Sequence, residues 1–88
     1  YLKAWERGVR SSHSSVALLP GPNAKSVRAF HLSGRSEEIR LILASGLKVK
    51  SVTETDNDGK EVGVVLFQNE NGVATFAARP FRMYRIDL

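Results

Sequence analysis

The sequence contains no cysteine, an absence that removes disulfide bonds, thiolate catalysis and cysteine-ligated zinc together. Its two histidines, His13 and His31, are far apart and have no partner at a metal-ligand spacing. No apolar run approaches the ~18–20 residues of a membrane span, and no charged-then-apolar signal segment opens the chain. We therefore expect no metal, no cofactor and no membrane partner.

The chain is also short. Its 88 residues make one domain, 1–88, whose core is modest because a domain of ~60 residues buries only about 60% of its unfolded surface. An enzyme that needs two domains around a cleft is therefore excluded for these residues. An apolar fraction of 42% and a charged fraction of 25% are typical of a globular protein rather than a disordered one.

Positive charge is concentrated at the two ends of the sequence. Residues 1–36 carry six basic and one acidic side chain, and residues 71–88 carry three basic and one acidic. Residues 37–70 carry four basic and seven acidic side chains. This uneven distribution of charge is typical of a protein that binds a polyanion, such as a nucleic acid, through one face.

Two segments have helical spacing. In "YLKAWERGVRSS", Leu2, Trp5 and Val9 recur at a helical period. In "SGRSEEIRLILASG", residues 33–46, Ser36 can cap the first turn and the following pair of glutamates favours the positive end of the helix dipole. Ile39, Ile42 and Leu43 then form an apolar stripe, and Gly46 can end the helix.

The other segments have the properties of strands and turns. Strands are predicted at about residues 14–19, 47–56, 60–68 and 73–78, with "NDG" at 57–59 and "NENG" at 69–72 as tight turns. Residues 25–32 are either a further strand or an ordered excursion of the chain. Pro80 interrupts the ladder, and "FRMYRIDL" continues as an edge strand or an extended tail. The predicted fold is α+β, with two helices packed on a small antiparallel β-meander.

No constellation for catalysis is evident. The serines around His13 are typical of a solvated loop, and the dipole of the predicted helix accounts for Glu37 and Glu38. Glu54, Asp56 and Asp58 lack the spacing and the ligand number of a calcium loop. We therefore expect no enzyme activity and no small-molecule substrate.

The chain ends on "RPFRMYRIDL", in which Arg79, Arg82 and Arg85 alternate with apolar and aromatic residues. Arginine suits phosphate because its planar guanidinium forms bidentate hydrogen bonds and stays charged. Phe81 and Met83 are expected to pack inward, whereas Arg82 and Tyr84 are expected to face a phosphate backbone.

Five segments in order resemble the N-terminal domain of the small-subunit ribosomal protein eight family. They are "LKAWERG", "SVALLP", "IRLILASG", "VTETDNDGKEVGVVLFQNENGVATF" and "RPFRMY". The segments occur in the same order as in the family over nearly all 88 residues, and the resemblance rests on this order and spacing. "ERG" lacks the asparagine of the family, "RPFRMY" lacks its glycine after proline, and the link at 21–35 is longer. The family's second domain, with its serine- and threonine-rich RNA-reading loop, is absent.

The resemblance implies a divergent, mitochondrial or otherwise organellar, structural constituent of the ribosome, with rRNA and neighbouring ribosomal proteins as partners. It would bind through phosphate contacts, so its affinity would fall steeply with salt. By the resemblance Arg7, Arg10, Arg79, Arg82 and Tyr84 would contact rRNA, and charge alone adds Lys25, Arg28 and Arg85.

Two alternatives are open. "FHLSGRSEEIRLILASGLKVKSV" resembles the first strand and helix of glutathione transferases, although the expected cis-proline strand does not follow. "VRAFHLSGRSEEIRLIL", "VTETD" and "RPFRMYRIDL" resemble segments of a C-terminal accessory β-sandwich of glycosidases such as a family of α-mannosidases. That domain would pack on a catalytic domain, bind no RNA, and have residues 36–45 as a strand. Helix or strand at 36–45 therefore separates it from the ribosomal hypothesis.

Overall fold

The computed structural model describes residues 8–11, 15–21 and 25–88, and these residues form nine β-strands and no helix. The predicted α+β fold, with two helices on a β-meander, is therefore wrong, because the described chain is all-β. The strands are Val9–Ser11 (β1), Val16–Pro20 (β2), Ser26–His31 (β3), Glu37–Leu43 (β4), Ser51–Thr55 (β5), Glu61–Val65 (β6), Phe67–Glu70 (β7), Val73–Ala78 (β8) and Met83–Asp87 (β9).

The strands form two antiparallel sheets. The first sheet has the order β1-β4-β8-β7, and the second has the order β2-β3-β9-β5-β6. Every described pair of neighbouring strands is antiparallel. The chain changes sheet several times, for example between β8 and β9, so the two sheets depend on each other.

A single apolar core lies between the sheets. The first sheet contributes Val9, Ile39, Leu41, Leu43, Ala74, Phe76 and Ala78, and the second contributes Val16, Leu18, Val27, Ala29, Val52, Tyr84 and Ile86. The rings of Phe76 and Tyr84 meet across the two sheets, with centroids 5.1 Å apart and planes at 60°. This tilted arrangement is one that aromatic pairs prefer.

The predicted helix over 33–46 is wrong, because residues 37–43 form β4 in the middle of the first sheet. Ile39, Leu41 and Leu43 are buried at every second position, and Ile39 lies opposite Phe76 of β8. An apolar run this short fits both the helical and the strand period. Its secondary structure is therefore determined by pairing with β1 and β8 on either side. Gly46 does have a positive φ of 84°, but in the turn after a strand.

The predicted first helix lies largely outside the described residues. Of its segment, residues 1–7 and 12 are not described, and Val9–Ser11 form β1, which pairs with β4. Gly8 has a φ of 84°, and its carbonyl accepts a hydrogen bond from the Ala44 N–H at 2.7 Å. This turn conformation belongs to the entry into a strand rather than to a continuing helix.

The predicted turns are confirmed. Gly59 has a φ of 83°, and the side chain of Asp56 accepts hydrogen bonds from the backbone N–H groups of Asp58 and Lys60, each at 2.9 Å. Asn71 and Gly72 both have positive φ, at 51° and 78°. These are the residue types that tolerate the left-handed region in tight turns.

The end of the chain is not an edge strand. β9 lies between β3 and β5 in the five-stranded sheet, with Tyr84 opposite both Ala29 and Glu54. The predicted orientation is also wrong, because Tyr84 is 1% exposed and Phe81 is 69% exposed. Pro80 precedes the strand instead of interrupting it, so β9 keeps a backbone N–H at every position.

Candidate functional site

Residues 79–82, here called the arch, connect β8 of the first sheet to β9 of the second. Backbone hydrogen bonds fix the arch against the neighbouring loop at 32–36. The His31 N–H donates to the Arg82 carbonyl at 2.9 Å, and the Phe81 N–H donates to the Ser33 carbonyl at 3.3 Å. The arch therefore lies beside the loop between β3 and β4, at the same end of the sandwich as the β5–β6 turn.

The buried side chain of His31, on β3, contacts both the arch and β4 of the first sheet. It is 2% exposed, its Nδ1 lies 2.7 Å from the Arg79 carbonyl, and its Nε2 lies 3.2 Å from Oε1 of Glu37. A carbonyl can only accept, so Nδ1 carries a hydrogen. The contact between Nε2 of His31 and Oε1 of Glu37 also needs a hydrogen, which lies between the imidazole and the carboxylate.

Glu37 is the acidic partner in this network. The hydrogen bond from His31 and a second from Ser33 lower the pKa of the Glu37 carboxyl from its ordinary value of 4.5. The Ser15 hydroxyl is also oriented toward this carboxylate, at 3.5 Å. The ionised carboxylate is thus the form that the folded protein favours.

This depressed pKa predicts a loss of stability in acid. A group with a lower pKa in the folded state stabilises it above the unfolded pKa, and that contribution is lost as the pH falls through the folded value. We expect Glu37→Gln to reduce the free energy of unfolding at pH 7, and the difference from wild type to shrink as the pH falls below about 4.5. Urea denaturation at a series of pH values measures it.

The control for this titration is Glu70→Gln, which changes an exposed carboxylate on β7. If the difference between wild type and Glu37→Gln is the same at every pH, the Glu37 carboxylate does not stabilise the fold through its charge.

Tyr84 and Glu54 support the arch from the second sheet. The Arg79 N–H donates to the Tyr84 hydroxyl at 2.7 Å, and burial raises the pKa of that hydroxyl although this hydrogen bond opposes the shift. Glu54 is 5% exposed, and its Oε2 lies 3.6 Å from Nη1 of Arg79. A buried carboxylate is costly without a partner, and the exposed guanidinium of Arg79 supplies the opposite charge beside Glu54.

Phe81 is a conformational outlier at the outermost point of the arch. Its φ is 53°, a region that bulky side chains rarely adopt, and its side chain is 69% exposed. A Cβ built on Gly34 would lie 3.6 Å from the Phe81 ring, so the ring lies beside this glycine. Strain of about 1–3 kcal/mol that presents an aromatic ring to solvent is a feature of ligand and partner contacts.

Exposed cations lie near Phe81 in the chain and in the loop beside the arch. Arg79 and Arg82 are exposed on the arch itself, and the neighbouring loop adds the exposed residues Leu32 and Arg35. We call Leu32, Arg35, Arg79, Phe81 and Arg82 the arch surface. An apolar centre with a cationic rim has the anatomy of a protein-protein contact with an acidic partner.

The residues predicted to contact RNA do not form one continuous strip. Arg7 lies outside the described residues, and Arg10 is on the outer face of the first sheet. Lys25 precedes β3, and Arg28 is exposed on the outer face of the second sheet. Arg79 and Arg82 are on the arch, whereas Tyr84 points into the core.

Arg85 is occupied by two carboxylates. Its Nη2 donates to Glu61 at 2.9 Å and its Nε donates to Asp87 at 3.4 Å, and the hydrogen bond with Glu61 raises the pKa of the guanidinium. These partners leave Arg85 little capacity for a phosphate.

Sequence reasoning missed the support beneath the arch. His31 had a signal, because it alternates with Val27 and Ala29 and so shares their inward face. Glu54 had a weaker signal, because alternation with the buried Val52 places it inward although an acid at the centre of a strand is usually solvent-exposed.

The described residues contain neither a candidate metal site nor a candidate membrane-spanning helix. No three His, Asp or Glu side chains in this part of the chain are grouped so that they could bind a metal ion. The same residues include no helix that is long and apolar enough to cross a membrane.

Comparison with known proteins gives no relative. No protein-family model matches the chain, and neither the curated proteins nor the solved structures contain a match. The function is therefore argued from the fold and from the arch surface.

Proposed function

We propose that this chain is an accessory β-sandwich of a glycosidase, similar to the one that α-mannosidases have beside their catalytic domain. The observation that carries the proposal is β4, because the glycosidase resemblance requires a strand at 36–45 and the ribosomal resemblance requires a helix. Its role is to pack on the catalytic domain, and it is not itself catalytic.

The path of the chain supports the same assignment. The three segments that resemble the glycosidase accessory domain are β3 with β4, β5, and the arch with β9. In the structure, β3, β9 and β5 are neighbours in one sheet, and the arch closes over the end of β3 through His31. The segments that carry the resemblance therefore include three neighbouring strands of the second sheet, together with β4 of the facing sheet.

The arch surface is the contact that we assign to the catalytic domain. Phe81 would enter an apolar pocket, since exposed aromatic side chains dominate the affinity of such contacts. Arg35, Arg79 and Arg82 would lie at the rim, so the facing surface of the catalytic domain is expected to be acidic. The network of His31, Glu37 and Glu54 fixes the arch before contact, which lowers the entropic cost of docking.

Binding to rRNA stays a prediction without support from the fold. It was tied to a helical framework, and the described residues have no helix. Two of its contact residues, Tyr84 and Arg85, are buried or paired.

The first test is to sequence the transcript that encodes this chain on both sides of the region that encodes these 88 residues. We expect the same transcript to encode a glycosidase catalytic domain. An extended reading frame that instead encodes a serine- and threonine-rich RNA-binding domain, or no glycosidase at all, contradicts the proposal.

A second test uses that catalytic domain and the variant Phe81→Gly. We expect the dissociation constant to rise by about thirtyfold, because loss of an aromatic hot spot costs about 2 kcal/mol or more. Stability should stay within about 1 kcal/mol of wild type, since glycine adopts a φ near 53° without strain. Isothermal titration calorimetry measures the affinity, and urea denaturation measures the stability.

The matched control is Leu66→Ser, which removes an apolar side chain that is 90% exposed between β6 and β7. Equal losses of affinity in both variants would show that general surface hydrophobicity, and not the arch surface, carries the contact.

A further inference from the structure

A groove on the outer face of the second sheet is separate from the arch surface. It has a volume of about 550 Å³, within the range of about 300–1,000 Å³ that small-molecule sites occupy. The register of β3, β9 and β5 places Phe30, Met83 and Thr55 in one row across its base. Asp58, at the tip of the β5–β6 turn, contributes to its wall.

The groove has an apolar base. Phe30 and Met83 are half-buried neighbours, so each presents part of its side chain to a ligand while the rest packs on the sheet. An aromatic ring beside a thioether offers a flat, polarisable surface for C–H groups. Such a base favours a ligand with one apolar face.

The rim of the groove supplies both hydrogen-bond donors and acceptors. Arg28 has five N–H donors, and Asp58 contributes carboxylate acceptors. The Thr55 hydroxyl serves as either donor or acceptor. This mixture suits hydroxyl groups, each of which donates one hydrogen bond and accepts others.

The charge of the groove is close to balanced. Arg85, which lies beside Arg28 across β3 and β9, is neutralised by Glu61 and Asp87. The remaining cation, Arg28, is matched by the carboxylate of Asp58 in the same lining. An anionic ligand would therefore gain little from this site, which argues against a phosphate.

We propose that this groove binds a neutral carbohydrate. A sugar ring has an apolar C–H face, which fits against Phe30 and Met83, and its hydroxyl groups fit the donors and acceptors of Arg28, Thr55 and Asp58. The proposal uses none of the arch surface, so it stands whether or not the sandwich docks on a catalytic domain.

The experiment titrates the isotope-labelled chain with α-mannotriose, with maltotriose and with inorganic phosphate, and follows backbone amide resonances. We expect saturable shifts at Arg28, Thr55 and Asp58 with at least one of the two sugars. Arg28→Ala and Asp58→Ala should each weaken that binding by about tenfold, the effect of about 1.4 kcal/mol. Asp58→Ala leaves the Asp56 side chain that orders the turn in place.

Lys48→Ala, an exposed cation beyond β4, is the matched control and should leave the affinity for sugar unchanged. Phe81→Gly should also leave it unchanged, which separates this proposal from the proposed function. No shift with either sugar at the highest soluble concentration would overturn the proposal. Shifts at these amides with phosphate alone, or equal binding by wild type and both groove variants, would overturn it as well.

Discussion

Tyr84→Ala is expected to lower the free energy of unfolding by about 3–5 kcal/mol, the usual cost of deleting a buried aromatic side chain. Tyr84 is 1% exposed and contacts Phe76 of the opposite sheet, so the deletion leaves a cavity between the sheets. It also leaves the Arg79 N–H without its acceptor. The total free energy of unfolding of a native domain is about 5–15 kcal/mol, so the variant should be close to unfolding.

Thermal unfolding followed by circular dichroism measures this effect, with a fall of at least about 12 °C expected in Tm. The matched control is Tyr84→Phe, which keeps the ring and removes only the hydroxyl. It should cost about 1–2 kcal/mol, because one buried N–H loses its partner. If Tyr84→Ala is no less stable than Tyr84→Phe, then the ring does not lie in the core.

His31→Leu is expected to cost about 2–4 kcal/mol, although leucine is apolar and of similar size. The substitution leaves the Arg79 carbonyl without a donor and the Glu37 carboxylate without its main hydrogen bond. Removing one partner of a buried polar network costs more than the net value of its hydrogen bonds, since the other groups remain desolvated.

The same substitution should loosen the arch before it unfolds the domain. Native-state digestion with trypsin measures this, because the bond after Arg82 becomes more accessible when the His31 ring no longer bonds to the Arg79 carbonyl of the arch. Glu37→Gln is the matched variant, since its amide can still form a hydrogen bond with the His31 ring, and it should be cleaved more slowly than His31→Leu. Cleavage of His31→Leu at the wild-type rate would mean that His31 does not fix the arch.

Much of the local structure could be predicted from the sequence. Strict alternation predicted β5, a strand was also predicted at the position of β8, and the residues of "NDG" and "NENG" predicted the two tight turns. These features depend on side-chain period and on backbone freedom, which neighbouring residues in the chain determine.

The segment "EEIRLIL" marks the limit of such reasoning. Its apolar residues satisfy a helical stripe through Ile39, Ile42 and Leu43, and equally a strand face through Ile39, Leu41 and Leu43. Only the pairing of β4 with β1 and β8 selects the second set, and those partners come from distant parts of the chain. The prediction of the fold class depended on this segment.

The candidate site divides in the same way. The sequence by itself determined that the chain has no cysteine chemistry and that its end alternates cations with apolar residues around Pro80. Only the tertiary structure decided that Tyr84 faces the core, that Glu54 lies beneath Arg79, and that Phe81 is held in solvent at a positive φ. The reason is physical: burial and strain depend on which strands lie on either side of a residue, and long-range pairing in two sheets is not encoded by local period alone.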